Sequence, residues 1–282
     1  MIDPKVWFSG KKDRALCREM DLAAAPIDVA AAFHERQGFV FLDSSCNDSQ
    51  QGRYSILASE PPLQFSIKNS DFFCQWQGGT FKEIGDPISW MERIFNACRM
   101  DARPEIPLPF WGGAIGYLGY DLFPLFERYK HLTAKDDLNL PDAIFGIYDK
   151  ALVLDHDTNT WYATGANVFA GSDALSLKLE NFEKDVRRQC GLPKDELQNI
   201  AAAASSPESP VSNFRKAEYL AAVQKAIDSI YAGDIYQVNL SQRFEVQSAR
   251  SAFEVFTVLR ALNPSFYGAF LNYGAHSVIS AS

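Results

Sequence analysis

Most of the stretch from Phe39 to Gly165 breaks into short apolar or alternating runs separated by turn residues, a pattern that commits it to strands rather than long helices. Phe39 to Leu42 is a compact apolar run, Leu63, Phe65 and Ile67 alternate with polar partners, and Phe72 to Trp76 leads into the turn pair Gly78-Gly79. Together these read as an antiparallel meander. Ala143 to Tyr148, Ala151 to Asp155 and Trp161 to Gly165 read as further strands, the last two joined by the turn-rich segment Asp155 to Asn159. One helix interrupts these strands and a second closes the region. Asp86 is a good N-cap, Pro87 suits the first helical position, and Ile88, Met91, Ile94, Phe95 and Cys98 recur at helical spacing. Asp173 to Cys190 reads as a second amphipathic helix.

The run from Ala201 to Pro210, Ala-Ala-Ala-Ala-Ser-Ser-Pro-Glu-Ser-Pro, buries too little apolar surface to fix itself. It places a linker at 196–212, between an N-terminal domain, 1–195, and a shorter C-terminal stretch, 213–282. In that stretch Tyr219, Leu220, Val223, Ile227, Ile230 and Tyr231 form a helical stripe that stops at Gly233. Ile235 to Phe244 then alternates, with Gln237, Asn239, Ser241 and Arg243 on its polar face. A helix from Ser251 to Leu262 follows, and then two strand-like segments. The last, Ser277 to Ser282, is read as an unfinished apolar strand with an unpaired edge that favours aggregation. The fold expected is α+β: two facing antiparallel sheets with helices on their outer faces, incomplete at the C-terminus.

Charge narrows the partners. Lys and Arg number 27 against 35 Asp and Glu, a net charge of −8 with no long basic run, which argues against nucleic acid or an anionic membrane surface. No apolar stretch approaches the ~20 residues that span a bilayer, and the charged N-terminus does not resemble a signal peptide. The expectation is a cytoplasmic protein. Five scattered cysteines lack any Cys-x-x-Cys pair, and four histidines lack ligand spacing, so no metal site is read from them.

Three places invite chemistry. Trp111 to Tyr120 is rich in glycine, but Gly112, Gly113, Gly116 and Gly119 do not stand in the register of a dinucleotide loop and suit a strand pressed against neighbouring backbone. Gln237 and Asn239 sit in a row of donors and acceptors spaced about 6.8 Å apart along their expected strand. Two readings of that face stand, a solvated sheet surface and a ligand-lining one. Asp43 and Ser44 end a strongly apolar run. If that run pairs with the segment Gly52-Arg53-Tyr54-Ser55, a carboxylate, hydroxyls and a guanidinium come together, and Arg53 is placed to hold a ligand carboxylate in a bidentate fork.

At these residues the sequence resembles a family. Gly233-Asp-Ile-Tyr-Gln-Val-Asn-Leu-Ser-Gln-Arg-Phe244 is similar to the signature of the chorismate-utilising enzymes, which include component I of anthranilate synthase and of aminodeoxychorismate synthase. Leu42-Asp43-Ser44-Ser45, Gly52-Arg53-Tyr54-Ser55, Phe110-x-Gly-Gly-x-x-Gly116 and Asn263-Pro-Ser-Phe-Tyr267 resemble further family segments, with Asp43 in place of the usual Glu and Phe266 in place of a Pro. Val238-Asn239-Leu240 is similar to the aminodeoxychorismate branch. The resemblance implies that chorismate is the substrate, Mg2+ the cofactor, and a glutamine amidotransferase subunit the ammonia source and partner. It also implies an amino-acid effector pocket, suited to tryptophan, formed by Ser44, Gln51, Gly52, Arg53, Tyr54, Phe266, Tyr267 and Gly268. The family's magnesium ligands and its lysine nucleophile fall in segments expected beyond residue 282, so no catalytic residue is assigned within this sequence and the 213–282 stretch is read as the truncated start of the chorismate-binding domain.

Overall fold

A computed structural model describes residues 15–46, 51–99, 106–127, 136–169, 175–191 and 209–282. In chain order the elements are β1 (Ala15–Met20), α1 (Pro26–Phe33), β2 (Val40–Asp43), β3 (Tyr54–Ala58), β4 (Leu63–Lys68), β5 (Asp71–Trp76), β6 (Gly79–Ile84), α2 (Pro87–Cys98), β7 (Gly113–Leu118), a 3-10 turn Tyr120–Leu122, α3 (Phe123–Phe126), β8 (Ala143–Tyr148), β9 (Lys150–Asp155) and β10 (Thr160–Ala166). Then come α4 (Leu175–Cys190), β11 (Val211–Ser212), α5 (Lys216–Ala232), β12 (Phe244–Glu245), α6 (Ala252–Leu262), β13 (Gly268–Asn272) and β14 (Ser277–Ala281). They fall in two compact units, one within 1–194 together with 255–282, the other within 195–254.

The larger unit carries two antiparallel sheets, of order β1-β10-β9-β3-β2-β13-β14 and β6-β5-β4-β8-β7. Alternation decides their faces. In β4, Leu63, Phe65 and Ile67 are buried between half-exposed polar neighbours, and they pack with Phe72, Trp90, Met91 and Ile94 beneath α2. Trp90 stacks on Phe72 at 5.6 Å. Asp86 caps α2 by accepting from the Ser89 N–H at 3.0 Å, as its position before Pro87 predicts. The expected stripe is turned slightly: Trp90 and Ala97 are buried with Met91 and Ile94, while Ile88, Phe95 and Cys98 are only half-buried.

The other face of the five-stranded sheet meets the seven-stranded one. Ile115 and Tyr148 from β7 and β8 pack with Val40, Ala58, Ala151 and Leu271, and the Tyr148 hydroxyl donates to the Gly38 carbonyl at 2.6 Å. On the far side of the seven-stranded sheet, Phe256 of α6 meets Phe41 at 5.7 Å and Phe270 at 5.5 Å. The glycine-rich strand is as close to its neighbour as expected: a Cβ on Gly116 would lie 2.0 Å from the Ile144 carbonyl oxygen.

In the smaller unit α5 begins at a capping box in which Glu218 accepts from the Arg215 N–H at 2.9 Å, and it ends at Gly233 with φ 78°. The expected strand from Ile235 to Phe244 does not form. Only Phe244 and Glu245 are extended and paired, to Val211 and Ser212, because no neighbouring strand among the described residues offers partners for the rest. The α5 stripe is likewise uncovered, with Leu220, Ile227, Ile230 and Tyr231 exposed. The 196–212 linker lies outside the described residues except at its end. Residues 255–282, expected in one domain with 213–254, instead complete the larger unit through the pairing of β13 with β2.

Candidate functional site

The polar groups at the end of β2 are brought together by register. Val40, Phe41 and Leu42 pair with Ala58, Leu57 and Ile56, while Gly268 pairs with Asp43 from the other side. Ser44 therefore leaves the sheet between β3 and the loop before β13. Its hydroxyl lies 2.7 Å from the Tyr54 carbonyl and 2.9 Å from the Phe266 carbonyl, and its single proton serves one of them at a time. Its N–H donates to the Ser55 hydroxyl at 3.2 Å. One residue on, the Ser265 N–H donates to the Ser45 hydroxyl at 3.0 Å. Phe266 is half-buried, Gly268 buried and Tyr267 exposed. Ser44 thus meets the backbone of Tyr54 and Phe266, while Gly268 pairs with the neighbouring Asp43.

Arg53 departs from that arrangement. Gly52, at φ 74°, turns the chain into β3, and the Arg53 guanidinium faces the turn after β9. Its Nη2 donates to Asp155 at 2.7 Å and its Nε to the same carboxylate at 3.1 Å, with Asp157 3.2 Å from Nε. Burial alone would raise the Asp155 carboxyl, but the Arg53 hydrogen bond and charge outweigh it and hold the group below the usual range. One edge of the fork read as a ligand clamp is therefore engaged by a carboxylate of the chain itself. Gln51 is exposed beside it.

Gln237 and Asn239 belong to the smaller unit, exposed on a segment without strand pairing, and bond each other at 3.4 Å. Among the described residues no three His, Cys, Asp or Glu side chains approach closely enough to hold a metal.

Sequence reasoning passed over Arg260 and His156, and placed the Ser55 hydroxyl near Asp43 without giving it a role. Arg260 Nε donates to Asp43 at 2.6 Å. The fully buried Ser55 hydroxyl lies 3.2 Å from the other Asp43 oxygen and 2.8 Å from His156 Nε2. A shallow recess of about 190 Å³, including its open mouth, lies beside the pair, lined by Asp43, Ser45, Phe256, Arg260, Ser265 and Ser280 among others. The signal for Arg260 is positional: Phe253, Phe256 and Arg260 share one face of α6 at helical spacing, so a cation stands where the stripe calls for an apolar residue.

Similarity to known proteins bears on what this arrangement belongs to. The chain is 31% identical over 258 residues to anthranilate synthase component 1 of Thermus thermophilus, covering 91% of this chain and 53% of that protein. It is 32% identical over 256 residues to aminodeoxychorismate synthase component 1 of Bacillus subtilis, covering 88% and 50%. The crystal structure of anthranilate synthase component I from Streptococcus pneumoniae superimposes with a TM-score of 0.66 at 27% identity, over 84% of this chain and 52% of that one. The chain spans about half the length of these relatives. Since residues 42–282, which include both Ser44 and the loop that meets it, match the chorismate binding enzymes throughout, the chain belongs to that family.

Proposed function

We propose that this chain is part of component I of aminodeoxychorismate synthase, which replaces the 4-hydroxyl of chorismate with ammonia to give 4-amino-4-deoxychorismate for para-aminobenzoate and folate synthesis. The observation that carries the reading is the segment Gly233 to Phe244 with Val238-Asn239-Leu240 at its centre, inside the residues that match the family. The 32% identity to the Bacillus subtilis protein supports it. Ammonia is assigned to a glutamine amidotransferase subunit. Magnesium ligands and the amine nucleophile are assigned to the half of the relatives' length that lies outside the match, and with them the catalytic step. The 282 residues alone are accordingly expected to be inactive.

A second reading, anthranilate synthase component I, is favoured by the Thermus and Streptococcus relatives. The two differ in the aminated product and in pyruvate, which only anthranilate formation eliminates. The whole protein supplied with chorismate, magnesium and a high ammonium concentration is expected to make aminodeoxychorismate without pyruvate. Anthranilate and pyruvate in equal amounts would overturn the first reading in favour of the second. The same assay on the 282-residue chain tests its inactivity, and turnover would refute the assignment of the catalytic groups elsewhere.

The meeting of Ser44, Tyr54 and Phe266 is proposed as an amino-acid effector pocket within 1–195 and the 263–268 loop, with tryptophan as the ligand. Ser44 supplies a hydroxyl, and the carbonyls of Tyr54 and Phe266 supply acceptors for the ammonium of a zwitterion. A third reading, a module that binds tryptophan or the amidotransferase without turnover, predicts tryptophan binding but no amination by the whole protein.

A further inference from the structure

We propose that Arg260 is a positioning residue for this pocket, acting through Asp43 and Ser55 to hold Ser44 in place. The proposal rests on the reading of the Ser44 cluster as a ligand pocket. The Asp43 carboxylate is an acceptor only, and it is almost fully buried. Arg260 Nε donates to one of its oxygens. The other faces Ser55 Oγ, which also lies within reach of the Ser44 N–H and of His156 Nε2.

Ser55 has one proton to give and two lone pairs to fill. The order that satisfies every group has Ser55 donate to Asp43 and accept from both the Ser44 N–H and a protonated His156 Nε2. That order is dictated from the Arg260 end, because the guanidinium supplies the charge that compensates the buried Asp43 carboxylate and takes one of its oxygens, leaving the other to accept the Ser55 proton. The Ser44 N–H is held by this chain. Its hydroxyl is thereby fixed between the carbonyls of Tyr54 and Phe266, two segments separated by more than 200 residues of sequence. A cation on α6, which touches no ligand in this scheme, thus sets the geometry of the group that would.

Gln is isosteric with Arg as far as Nε, so the test uses Arg260→Gln, Arg260→Lys and the double variant Asp43→Asn/Arg260→Gln in the 282-residue chain. Calorimetric titration with L-tryptophan is expected to show binding to the wild type, a loss of about tenfold in Arg260→Gln, and recovery of most of that loss in Arg260→Lys, which keeps the cation. The double variant restores a neutral, fully bonded pair, but with an amide N–H now facing Ser55, so the proton order reverses. Its affinity is expected to recover, and 15N NMR at pH 8 should find the His156 proton moved from Nε2 to Nδ1.

An Arg260→Gln variant that binds as the wild type does, an Arg260→Lys variant as impaired as Arg260→Gln, or a His156 tautomer unchanged in the double variant would overturn the positioning role. If the wild type binds no tryptophan, the pocket reading fails on its own, and the tautomer still decides whether Arg260 sets the proton order.

Discussion

A methyl group at position 116 has nowhere to go, since the Ile144 carbonyl oxygen, the Phe145 ring and the Phe145 Cα all crowd the place it would take. The obstacles include rigid sheet backbone, so Gly116→Ala is expected to cost about 3 kcal/mol or more, measured as a lowered urea midpoint, through separation of β7 from β8. Two histidines give the molecule a pH dependence of definite sign. His156 and His276 both titrate below the ordinary value of 6.5 because burial disfavours their charged forms. The unfolded chain therefore binds more protons in the window between the folded values and 6.5. Stability is complete above that window and falls as the pH drops through it. Urea midpoints at pH 7.5 and 5.5 should differ in that direction, and the variant His156→Gln/His276→Gln should flatten the difference. Where Arg53 would end up was not legible at this scale, because its partner Asp155 stands 102 positions away and belongs to a strand read only as a strand.

The helix that buries Trp90 depends on a single turn of capping. Asp86→Ala removes the acceptor for the Ser89 N–H, and a loss of about 1 kcal/mol in thermal or urea unfolding is expected. Asp86 and Pro87 announce that helix in the sequence, and strands with buried alternation such as β4 announce themselves as plainly, because one covered face imposes its period on the residues. The failures have the same cause in reverse. Ile235 to Phe244 carries a strand's alternation but has no neighbour here to bond its backbone, and period alone does not supply one. β1 escaped notice because its half-exposed sequence, Ala-Leu-Cys-Arg-Glu-Met, lacks alternation. The cluster was half legible: Ser44 and Phe266 come together through the pairing of β2 with β13, and Arg260 is marked only by its place in the α6 stripe, whereas His156 arrives through tertiary packing that no local pattern encodes.

At the scale of the whole chain, the hairpin of β13 and β14 decides whether the seven-stranded sheet is whole. It covers the edge of β2 and brings Phe270 against Phe39 and Phe256. Removing residues 263–282 uncovers a row of unpaired backbone groups flanked by large apolar side chains. That variant is expected in the insoluble fraction on expression, and a soluble product with an intact far-ultraviolet spectrum would refute the assignment of the hairpin to the sheet.

The same pairing sets a timetable for the ribosome. Ser44 waits for Phe266 across 222 residues of chain, on the order of 10–45 s of synthesis at about 5–20 residues per second. The five-stranded sheet closes on segments already made, whereas β2 spends that interval with one edge open and its aromatic residues uncovered. The nascent protein is thus most vulnerable late in its translation, and slow codons between Glu60 and Asn263 would lengthen the exposure while leaving the finished fold unchanged.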